Sequence, residues 1–437
     1  MRCTTYGIVM PRLLLLLPTT TYRTTAFVEA ARQLGVELTV ASEEPSTFDR
    51  ANPAGLLALD LSNPDHAATE AVAFARKYPV AAVVGVDDDT AIVAATIAER
   101  LHLRGNPPHA ARAARDKHQQ RELLARAGVP IPRFLLRTLD QDPAAIAVAI
   151  TYPCVIKPLN LSASRGVIRA DNPKSFVAAH ARLKAIVCEP SAGYLIEEFI
   201  PGDEVALEGL VMNRRLHVLA LFDKPDPLDG PFFEETIYVT PSTVPAPLQA
   251  AITDCAERAV RALGIVDGPI HAELRYNVRG PWLIELAARP IGGRCSAVLR
   301  FGTGKGGQGT GTTLEEIILR HALDMPIHSL QRERQAAGVI MIPIPGAGTL
   351  REVRGVAEAK RVPLVEDVQI TAHPGEQLVP FPDGSRYPGF IFARGETPAA
   401  VEAALRDSHR RLEFVMDPAP TPPRPLPPTN SAGTTPP

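Results

Sequence analysis

The sequence predicts an α/β and α+β protein, and two features of the pattern support this prediction. The first hundred residues alternate continuously apolar segments with helical segments, whereas the middle of the chain joins long strands through short turns. The 437 residues correspond to about three domains of ~150 residues each. A hydrophobic content of 45% with 22% charged residues is typical of a globular protein.

Residues 1–110 are predicted to form an N-terminal Rossmann-like domain. The predicted strands are the apolar segments RLLLLLP, VELTVA and VAAVVGV. The predicted helices span 24–34, 66–78 and 89–102, the last with Asp89 as its N-cap. Continuous apolar strands separated by helices indicate a parallel sheet that is covered on both faces. The acidic trio 87–89 offers metal ligands, but helix capping and loop solvation are the favoured interpretation.

Residues 111–335 are predicted to form a central α+β region with antiparallel strands. Its strands include CVIKP, YLIEEF and two long strands joined at Asn213–Arg214, and the polar loop LNLSASRG follows CVIKP. Its predicted helices span 116–127, 246–263 and 314–322. Residues 336–416 are predicted to form a smaller C-terminal domain. The remainder, 417–437, consists mainly of proline and small polar residues and is predicted to be disordered.

The composition and the residue patterns argue against several functions. The net charge is −2 and no basic run dominates, so the sequence indicates neither a nucleic-acid partner nor an anionic membrane. The five cysteines are odd in number and show no CxxC spacing, which argues against a disulfide framework and a zinc site. This pattern predicts that the protein resides in the reducing cytoplasm. No segment reaches the ~20 apolar residues needed to cross a bilayer. Residues 1–9 match no element, so Met10 is an alternative start.

The segment HAELRYNVRGPWLIELAARP, residues 271–290, is predicted to be a hairpin with two facing glutamates. If the turn runs from Asn277 to Pro281, Tyr276 pairs with Trp282, and Glu273 lies directly across from Glu285. The side chains of His271, Arg275, Ala287 and Arg289 share the face of the two glutamates, and apolar side chains occupy the other face. Like charges at this separation repel, so something positive is expected between them.

Two interpretations of the hairpin remain open at this point. Arg275 and Arg289 can neutralise the glutamates on a solvated surface. Alternatively, two carboxylates about 5 Å apart suit Mg²⁺, a hard ion that is held by one or two carboxylates together with substrate phosphates. The lysines are equally ambiguous alone, because Lys157 ends an apolar strand and Lys117 lies in the first turn of a helix.

Two nucleotide-binding motifs are unsupported. The glycine run around Lys305 fails as a Walker A loop, because Gly306 follows the lysine where serine or threonine is required. A mobile loop is the better interpretation of this run. No GxGxxG sequence opens a helix after the first strand, so a dinucleotide site is not predicted.

Four segments in order change this assessment. They are DKHQQRELLARAGVPIP, YPCVIKPLNLSASRGVIRA, YLIEEFIPGDEVALEG and IELAARPIGG. In this order they resemble the ATP-grasp superfamily, and within it the branch of L-amino acid ligases and carbamoyl-phosphate-synthase-like carboxylate–amine ligases. The resemblance covers residues 11–415. It implies an ATP-grasp fold with a pre-ATP-grasp N-terminal domain, a two-lobed nucleotide-binding region and a small C-terminal α+β domain.

The resemblance implies an ATP site, with ATP and Mg²⁺ as cofactors and Mn²⁺ as an alternative ion. The implied ATP-binding residues are Lys117, Lys157, Ser164, Arg165, Gly166, Glu197, Glu198, Phe199, Ile200 and Glu204. Lys117 and Lys157 match the lysines that hold the phosphates, and SASRGV matches the loop that closes over them. Glu197 matches the acid on the adenine side and Glu204 the acid on the ribose hydroxyls. By the same resemblance, the backbone of Glu198 and Ile200 is expected to read the edge of the base.

The resemblance also implies the metal and substrate sites. Glu273 and Glu285 match the Mg²⁺ ligands, and Arg289 matches a phosphate-side arginine that is catalytic together with Lys157. The implied substrate-binding residues are Glu235, His271, Arg289, Gly292 and Gly293. Glu235 is the candidate to meet a substrate ammonium. Ala287 departs from the family pattern, because many relatives carry an asparagine there that helps to bind a second metal ion.

The implied function is that of an ATP-dependent carboxylate–amine ligase. A carboxylate attacks the γ-phosphoryl group to give an acyl phosphate, and an amine, expected to be an amino acid, then forms an amide. Two alternatives remain: an ATP-grasp enzyme with another carboxylate or nucleophile, such as bicarbonate, and a nucleotide-binding regulatory protein without turnover. Expected partners are small carboxylates and amines, without nucleic acid or membrane, and a homodimer is left open.

Overall fold

The structure of the protein is a computed structural model that describes residues 10–418, apart from 20, 47, 49, 50 and 303–310. The predictions for residues 1–9, for the glycine run around Lys305 and for the tail beyond Pro418 lie outside the described residues and stay predictions. Residues 417–418, predicted to belong to the tail, form the end of a strand.

The N-terminal segment forms a parallel sheet flanked by helices, as predicted. Its elements are β1 Arg12–Leu16, α1 Thr24–Leu34, β2 Glu37–Ser42, β3 Leu56–Ala58, α2 Pro64–Ala75, β4 Ala82–Gly85 and α3 Asp88–Arg100. The strand order is β3-β2-β1-β4, and the pairs are parallel. The leucines of β1 alternate between two core clusters, one on each face, which explains why the whole strand is apolar.

The start of α3 differs from the prediction. Asp87, rather than Asp89, is the N-cap, and its carboxylate accepts a 2.9 Å hydrogen bond from the backbone N–H of Thr90. The Thr90 hydroxyl in turn accepts from the backbone N–H of Asp87, so a capping box fixes the register. Asp88 therefore lies in the first turn of the helix, beyond the carboxyl end of β4.

A small antiparallel sheet follows two connecting helices. The elements are α4 Pro108–Arg115, α5 Lys117–Arg126, β5 Phe134–Thr138, α6 Pro143–Ala147, β6 Cys154–Pro158, β7 Ile168–Ala170, α7 Pro173–Val187 and β8 Gly193–Glu198. The strand order is β5-β8-β6-β7. The predicted helix 116–127 corresponds to α5 with Asp116 as its N-cap. The predicted strands CVIKP and YLIEEF correspond to β6 and β8.

A long, largely antiparallel sheet forms the rest of the central region. The elements are β9 Asp203–Met212, β10 Arg215–Lys224, β11 Ile237–Thr240, α8 Ala246–Leu263, β12 Gly268–Asn277, β13 Gly280–Ala287, a 3₁₀ helix at Cys295–Val298 and α9 Leu314–Ala322. Both α8 and α9 have the predicted bounds. Helix α8 packs its apolar face on β12 and β13 in one continuous core cluster.

The C-terminal part extends the same long sheet. The elements are β14 Ala336–Met341, β15 Gly348–Arg354, α10 Val356–Lys360, β16 Val365–Ile370, β17 Gln377–Leu378, β18 Gly389–Gly395, α11 Pro398–Arg410 and β19 Glu413–Pro418. The long sheet has the order β13-β12-β9-β10-β11-β14-β18-β16, and β17-β15-β19 form a separate small sheet. Because β14 pairs with β11, the predicted domain limit at 335/336 does not separate two sheets.

The hairpin at 271–290 has the predicted glutamate pair but a different turn. Glu273 pairs with Glu285, whereas Tyr276 pairs with Pro281 rather than Trp282, because the turn closes at Asn277–Gly280. A β-bulge between Glu273 and Leu274 shifts the register by one residue, and this shift restores the predicted pairing of the glutamates. The bulge also changes the alternation of β13, so that Ile284, predicted to face the core, lines the cleft described below.

None of the described helices is long and apolar enough to span a lipid bilayer.

Candidate active site

An open cleft of ≈ 690 Å³ lies between the four-stranded sheet β5-β8-β6-β7 and the long sheet. Eleven of the predicted site residues line it: Lys117, Lys157, Ser164, Glu197, Glu198, Phe199, Ile200, Glu204, Glu235, Glu273 and Glu285. Apolar side chains form much of the remaining wall: Pro132, Val155, Leu161, Val167, Leu228, Phe233 and Ile284. The cleft thus combines apolar surface, which suits a flat ring, with charged side chains, which suit phosphates and cations.

The other predicted site residues lie outside the cleft wall. They are Arg165, Gly166, His271, Arg289, Gly292 and Gly293. Gly293 has a φ of 59°, and a Cβ there would lie 2.3 Å from the sulfur of Met341, so the chain at this point requires glycine. Gly293 thus allows the turn after β13 to approach Met341 of β14 closely.

Helix α5 attaches to the edge strand β13 through two buried side chains. The amide of Gln120 donates to the carbonyl of Leu286 at 2.8 Å and accepts from the backbone N–H of the same residue at 3.2 Å. The guanidinium of Arg121 donates to the carbonyl of Ile284, the residue at the bulge. These contacts satisfy the exposed edge of the sheet and hold Glu285 toward the cleft.

Lys117 and Glu285 form an ion pair in the wall of the cleft. The Nζ of Lys117 lies 3.1 Å from a carboxylate oxygen of Glu285 and donates to the carbonyl of Leu161 at 2.9 Å. Burial by itself would raise the pKa of Glu285, but the positive charges of Lys117 and Lys157 outweigh it and lower that pKa. Glu285 is therefore ionised, as a ligand of a hard cation must be.

Lys157 and Arg121 share the carboxylate of Glu197. The Nζ of Lys157 lies 2.6 Å and the Nε of Arg121 2.7 Å from its two oxygens, and all three side chains are buried. Desolvation lowers the pKa of Lys157, and the pKa of Glu197 is lowered because the two cations outweigh its burial. The implied contact of Glu197 with adenine stays a prediction; the carboxylate itself holds the Lys157 ammonium in place.

Lys224, which is not among the predicted site residues, lies among three carboxylates. Its Nζ is 2.7 Å from Glu204, 2.6 Å from Glu235 and 3.4 Å from Glu273. Oxygens of these glutamates lie within 4.8 Å of one another, an arrangement that could also hold a metal ion. Burial would lower the pKa of Lys224, but the three negative charges raise it well above its ordinary value. The ammonium is thus permanently charged.

The three carboxylates around Lys224 belong to residues with predicted roles in the site: Glu204, Glu235 and Glu273. Glu204, predicted to meet the ribose, is held by Lys224 and by Arg275 at 3.1 Å. Glu235, predicted to meet a substrate ammonium, has the Lys224 ammonium as its partner. Burial raises the pKa of Glu273, but Lys224 and a hydrogen bond from His271 outweigh it and lower that pKa to about 2. Both hairpin glutamates are therefore carboxylates at neutral pH.

His271 connects the cleft to a deeply buried glutamate. Its Nε2 lies 3.5 Å from Glu273, and its Nδ1 lies 3.8 Å from Glu208, whose side chain is fully buried. Glu208 accepts a 3.0 Å hydrogen bond from the backbone N–H of Ile291, and its other oxygen has no hydrogen-bond partner among the described residues. Burial raises the pKa of Glu208 well above its ordinary value. The predicted contact of His271 with substrate stays a prediction.

Arg289 forms an ion pair with Asp88 of α3. Its Nε lies 3.0 Å from one oxygen of the carboxylate, and Ser162 donates to the other at 2.9 Å. Burial would raise the pKa of Asp88, but Arg289 and Arg115 outweigh it and lower that pKa. Asp88 belongs to the trio interpreted as capping or solvated residues. That interpretation holds for Asp87, which is the N-cap, and for Asp89, whose side chain is 71% exposed, but not for Asp88.

The missed residues differ in how well sequence signals point to them. Lys224 continues the inward-facing alternation of Phe222 on β10, which is an unusual place for a lysine. Arg121, Asp88 and Glu208 are distant in sequence from their partners, and no local pattern marks them. Their roles follow only from the packing of different elements against one another.

Three protein-family models match the chain in consecutive segments. They are an ATP-grasp N-terminal domain at residues 28–105, an ATP-grasp domain at 150–298 and an L-amino acid ligase C-terminal domain at 340–417. The described cleft falls mainly within the second match.

Curated relatives and a solved structure are similar over different shares of the chain. Alanine–anticapsin ligase of Bacillus subtilis is 30% identical over 215 residues, 44% of this chain and 45% of that protein. Dapdiamide A synthase of Enterobacter agglomerans is 26% identical over 345 residues, 76% and 79% of the two chains. The crystal structure of the L-amino acid ligase from Bacillus licheniformis superposes with a TM-score of 0.75 and 27% identity, covering 93% of this chain and 99% of that one.

Proposed function

Because the chain belongs to the ATP-grasp superfamily, we propose that it is an ATP- and Mg²⁺-dependent ligase that joins a carboxylate to an amine. The observation that carries the proposal is the pair of ionised glutamates, Glu273 and Glu285, facing each other beside two lysines in one cleft. The relatives named as ligases and the match to an L-amino acid ligase C-terminal domain support amino acids as the substrates.

The proposed orientation of ATP follows from the two kinds of side chain that line the cleft. The adenine lies against the apolar side chains around Phe199 and Phe233, and the triphosphate extends toward Lys117 and Lys157. Glu197 fixes the position of the Lys157 ammonium, because the two are in contact and fully desolvated. Fixed positive charges of this kind favour phosphoryl transfer by positioning and by electrostatic stabilisation.

Glu273 and Glu285 fit Mg²⁺, because both are ionised carboxylates on adjacent strands at the phosphate end of the cleft. When bound, the ion would neutralise negative charge on the phosphates. Ala287 is buried opposite His271 and offers no ligand atom. The glutamates' own counter-ions are Lys117 and Lys224, whose ammonium groups must adjust when a cation and phosphates enter.

The proposed reaction has two steps. A carboxylate oxygen of the first substrate attacks the γ-phosphorus, the bond to the β-phosphate oxygen breaks, and ADP leaves. The nitrogen of the second substrate then attacks the acyl phosphate carbon, inorganic phosphate leaves, and the amine loses a proton as the amide forms. The loop 159–167 is placed to exclude water from the acyl phosphate, because Ser164 and Leu161 line the cleft.

Turnover assays with candidate substrates test the proposal. The protein is incubated with MgATP and pairs of amino acids, release of ADP and phosphate is followed, and products are identified by mass spectrometry. Amide formation supports the proposal. Turnover only with bicarbonate or another carboxylate would indicate a different ATP-grasp reaction, and nucleotide binding without turnover would indicate a regulatory protein.

Glu285→Gln is the matching variant, because it removes one negative charge with little change in shape. We expect kcat/KM to fall by about 10²-fold or more, equivalent to ~2.7 kcal/mol of transition-state stabilisation. Glu358→Gln, at an exposed position in α10, is the control and should be fully active. Normal activity of Glu285→Gln would contradict the assignment of the metal site.

The limits of the three domains, a cytoplasmic location and a homodimer stay predictions.

A further inference from the structure

One carboxylate connects three separate parts of the protein beside the cleft. Asp88 belongs to helix α3, which follows strand β4 of the N-terminal sheet. Ser162 belongs to the loop 159–167, and Arg289 to the segment that follows β13. Arg289 lies 3.0 Å from one oxygen of Asp88, and the hydroxyl of Ser162 donates to the other oxygen at 2.9 Å. Each oxygen therefore serves a different partner.

The geometry around Asp88 is fixed from the backbone outward. The capping box at Asp87 sets the first turn of α3, so the Asp88 side chain leaves the helix in a defined direction. The side chains of Asp88 and Arg289 are each only 14% exposed, so water does little to screen their attraction. A buried pair of this kind is far less mobile than an ion pair in solvent.

Within the described part of the chain, neither partner of Asp88 has another side chain in hydrogen-bonding contact that could replace it. The Arg289 side chain otherwise donates to the carbonyl of Pro290, its own neighbour in sequence. The loop is also held through Leu161 by Lys117 and through Gly166 by the carbonyl of Pro382, but these bonds use loop backbone. Ser162 provides the side-chain link from the loop to the first sheet.

We propose that Asp88 is a positioning residue, which places the Arg289 guanidinium and anchors the closed loop 159–167 through the same carboxylate. The catalytic consequence rests on the proposed function, in which Arg289 faces the transferring phosphoryl group and the loop excludes water. Asp88 does not line the nucleotide cleft. Its loss should therefore affect the chemical step and the coupling of ATP use to amide formation more than nucleotide binding.

Asp88→Asn tests the effect on turnover. We expect kcat to fall about 10²-fold, the penalty typical of a catalytic group displaced by roughly 1 Å, while the KM for ATP stays within about threefold. We also expect a larger fraction of ATP to be hydrolysed without amide product. The matched control is Asp89→Asn, one residue along the same helix, whose exposed carboxylate pairs with Arg115 and not with Arg289.

Ser162→Ala separates the two links. It removes the anchor of the loop and leaves the Asp88–Arg289 pair, so we expect more uncoupled ATP hydrolysis with a smaller loss of kcat than in Asp88→Asn. Hydrogen exchange of the loop amides, measured on the protein without nucleotide, should be faster in both variants than in the wild type. Asp89→Asn should exchange at the wild-type rate.

Three results would overturn the inference. The first is wild-type kcat and loop exchange in Asp88→Asn. The second is a KM for ATP lowered more than tenfold, which would identify Asp88 as a competing anion. The third is reduced thermal stability with an unchanged kcat per folded molecule, which would indicate a purely structural role. If the wild-type protein shows no ligation, the proposed function fails, and the exchange experiment still decides whether Asp88 anchors the loop.

Discussion

Lys224→Met removes the positive charge shared by three glutamates and keeps a side chain of similar length. The Lys224 ammonium lies 2.6–3.4 Å from Glu235, Glu204 and Glu273, and its side chain is 3% exposed. In the variant, three carboxylates with oxygens within 4.8 Å of one another would have lost their common counter-ion. We expect the folded state to lose stability and to acquire an affinity for small cations.

The magnitude follows from these distances. With an effective dielectric constant of about 20, each of the two shorter contacts represents ~6 kcal/mol of Coulomb energy before desolvation is subtracted. Removing one partner of a buried ion pair typically costs about 3–5 kcal/mol, and we expect a loss in that range. Without the lysine, the largest effect that lowers the pKa of Glu273 is lost, and burial then raises that pKa above its unfolded value. Because the wild-type ion pair persists down to the Glu273 pKa of about 2, the destabilisation relative to the wild type should be smallest below that pH and grow as the pH rises.

Thermal unfolding, followed by calorimetry or fluorescence, measures both effects. The Tm of Lys224→Met should lie below that of the wild type at pH 7 and should rise on addition of Mg²⁺ or Ca²⁺. A cation present at 100 times its Kd contributes about 2.7 kcal/mol. Lys360→Met is the control, because Lys360 is 50% exposed and pairs with one aspartate at the surface. A variant with wild-type Tm and no response to cations would refute this account of the cleft.

Two further predictions concern buried glutamates. Glu197→Gln should lower kcat by about 10²-fold and stability by ~3 kcal/mol, because Arg121 and Lys157 then share no anion. Glu352→Gln, which loses only a surface pair with Arg354, is the control, and equal effects of the two changes would contradict the assignment. Burial raises the pKa of Glu208, so the folded state binds the Glu208 proton more tightly than the unfolded state does. The contribution of Glu208 to stability is therefore greatest below its pKa in the unfolded state and is lost as the pH rises toward its pKa in the folded state. Glu208→Gln should remove this loss of stability, which is about 1.4 kcal/mol per pH unit between the two pKa values. Parallel pH–stability curves for the variant and the wild type would argue against this role of Glu208.

Helices with regular apolar periodicity and a clear end were predictable from the sequence. Helix α1 has the predicted bounds, and its C-cap Gly35 adopts the left-handed conformation with a φ of 64°. Helix α8 ends in the same way at Gly264. Helix α7 is not among the predicted elements, although Asn172 and Ser175 form a capping box before its apolar face. That signal was present in the sequence.

Strand registers were predictable only along stretches that contain no β-bulge. The pairing of Glu273 with Glu285 is confirmed, but counting from the predicted turn reached it because an error of one residue was cancelled by the bulge. The β9–β10 hairpin shows the opposite outcome. Counting from its turn places Lys224 across from Asp203, and a bulge near residue 219 moves it across from Glu204. A bulge inserts one residue without a distinctive sequence, so counting alone cannot locate it.

The identity of the cleft residues was more predictable than their ion pairs. Motif order places Lys117, Lys157, Glu273 and Glu285 in one site, and the structure brings them together. Their counter-ions come from elements far away along the chain. Since long-range ion pairs depend on how separate elements pack, no local spacing encodes them.

The ion pairs also determine what ligand binding must accomplish. Lys117 neutralises Glu285 and Lys224 neutralises Glu273, so a cation that enters between these glutamates displaces or shifts a charge that the protein already supplies. The displaced ammonium groups remain in the cleft, where phosphate oxygens offer the same kind of partner. Cation and nucleotide should therefore bind cooperatively, because each provides the counter-ion that the other removes from the protein. Arg289 differs from these lysines, because its partner Asp88 lies outside the cleft and stays with it when a cation enters between the glutamates.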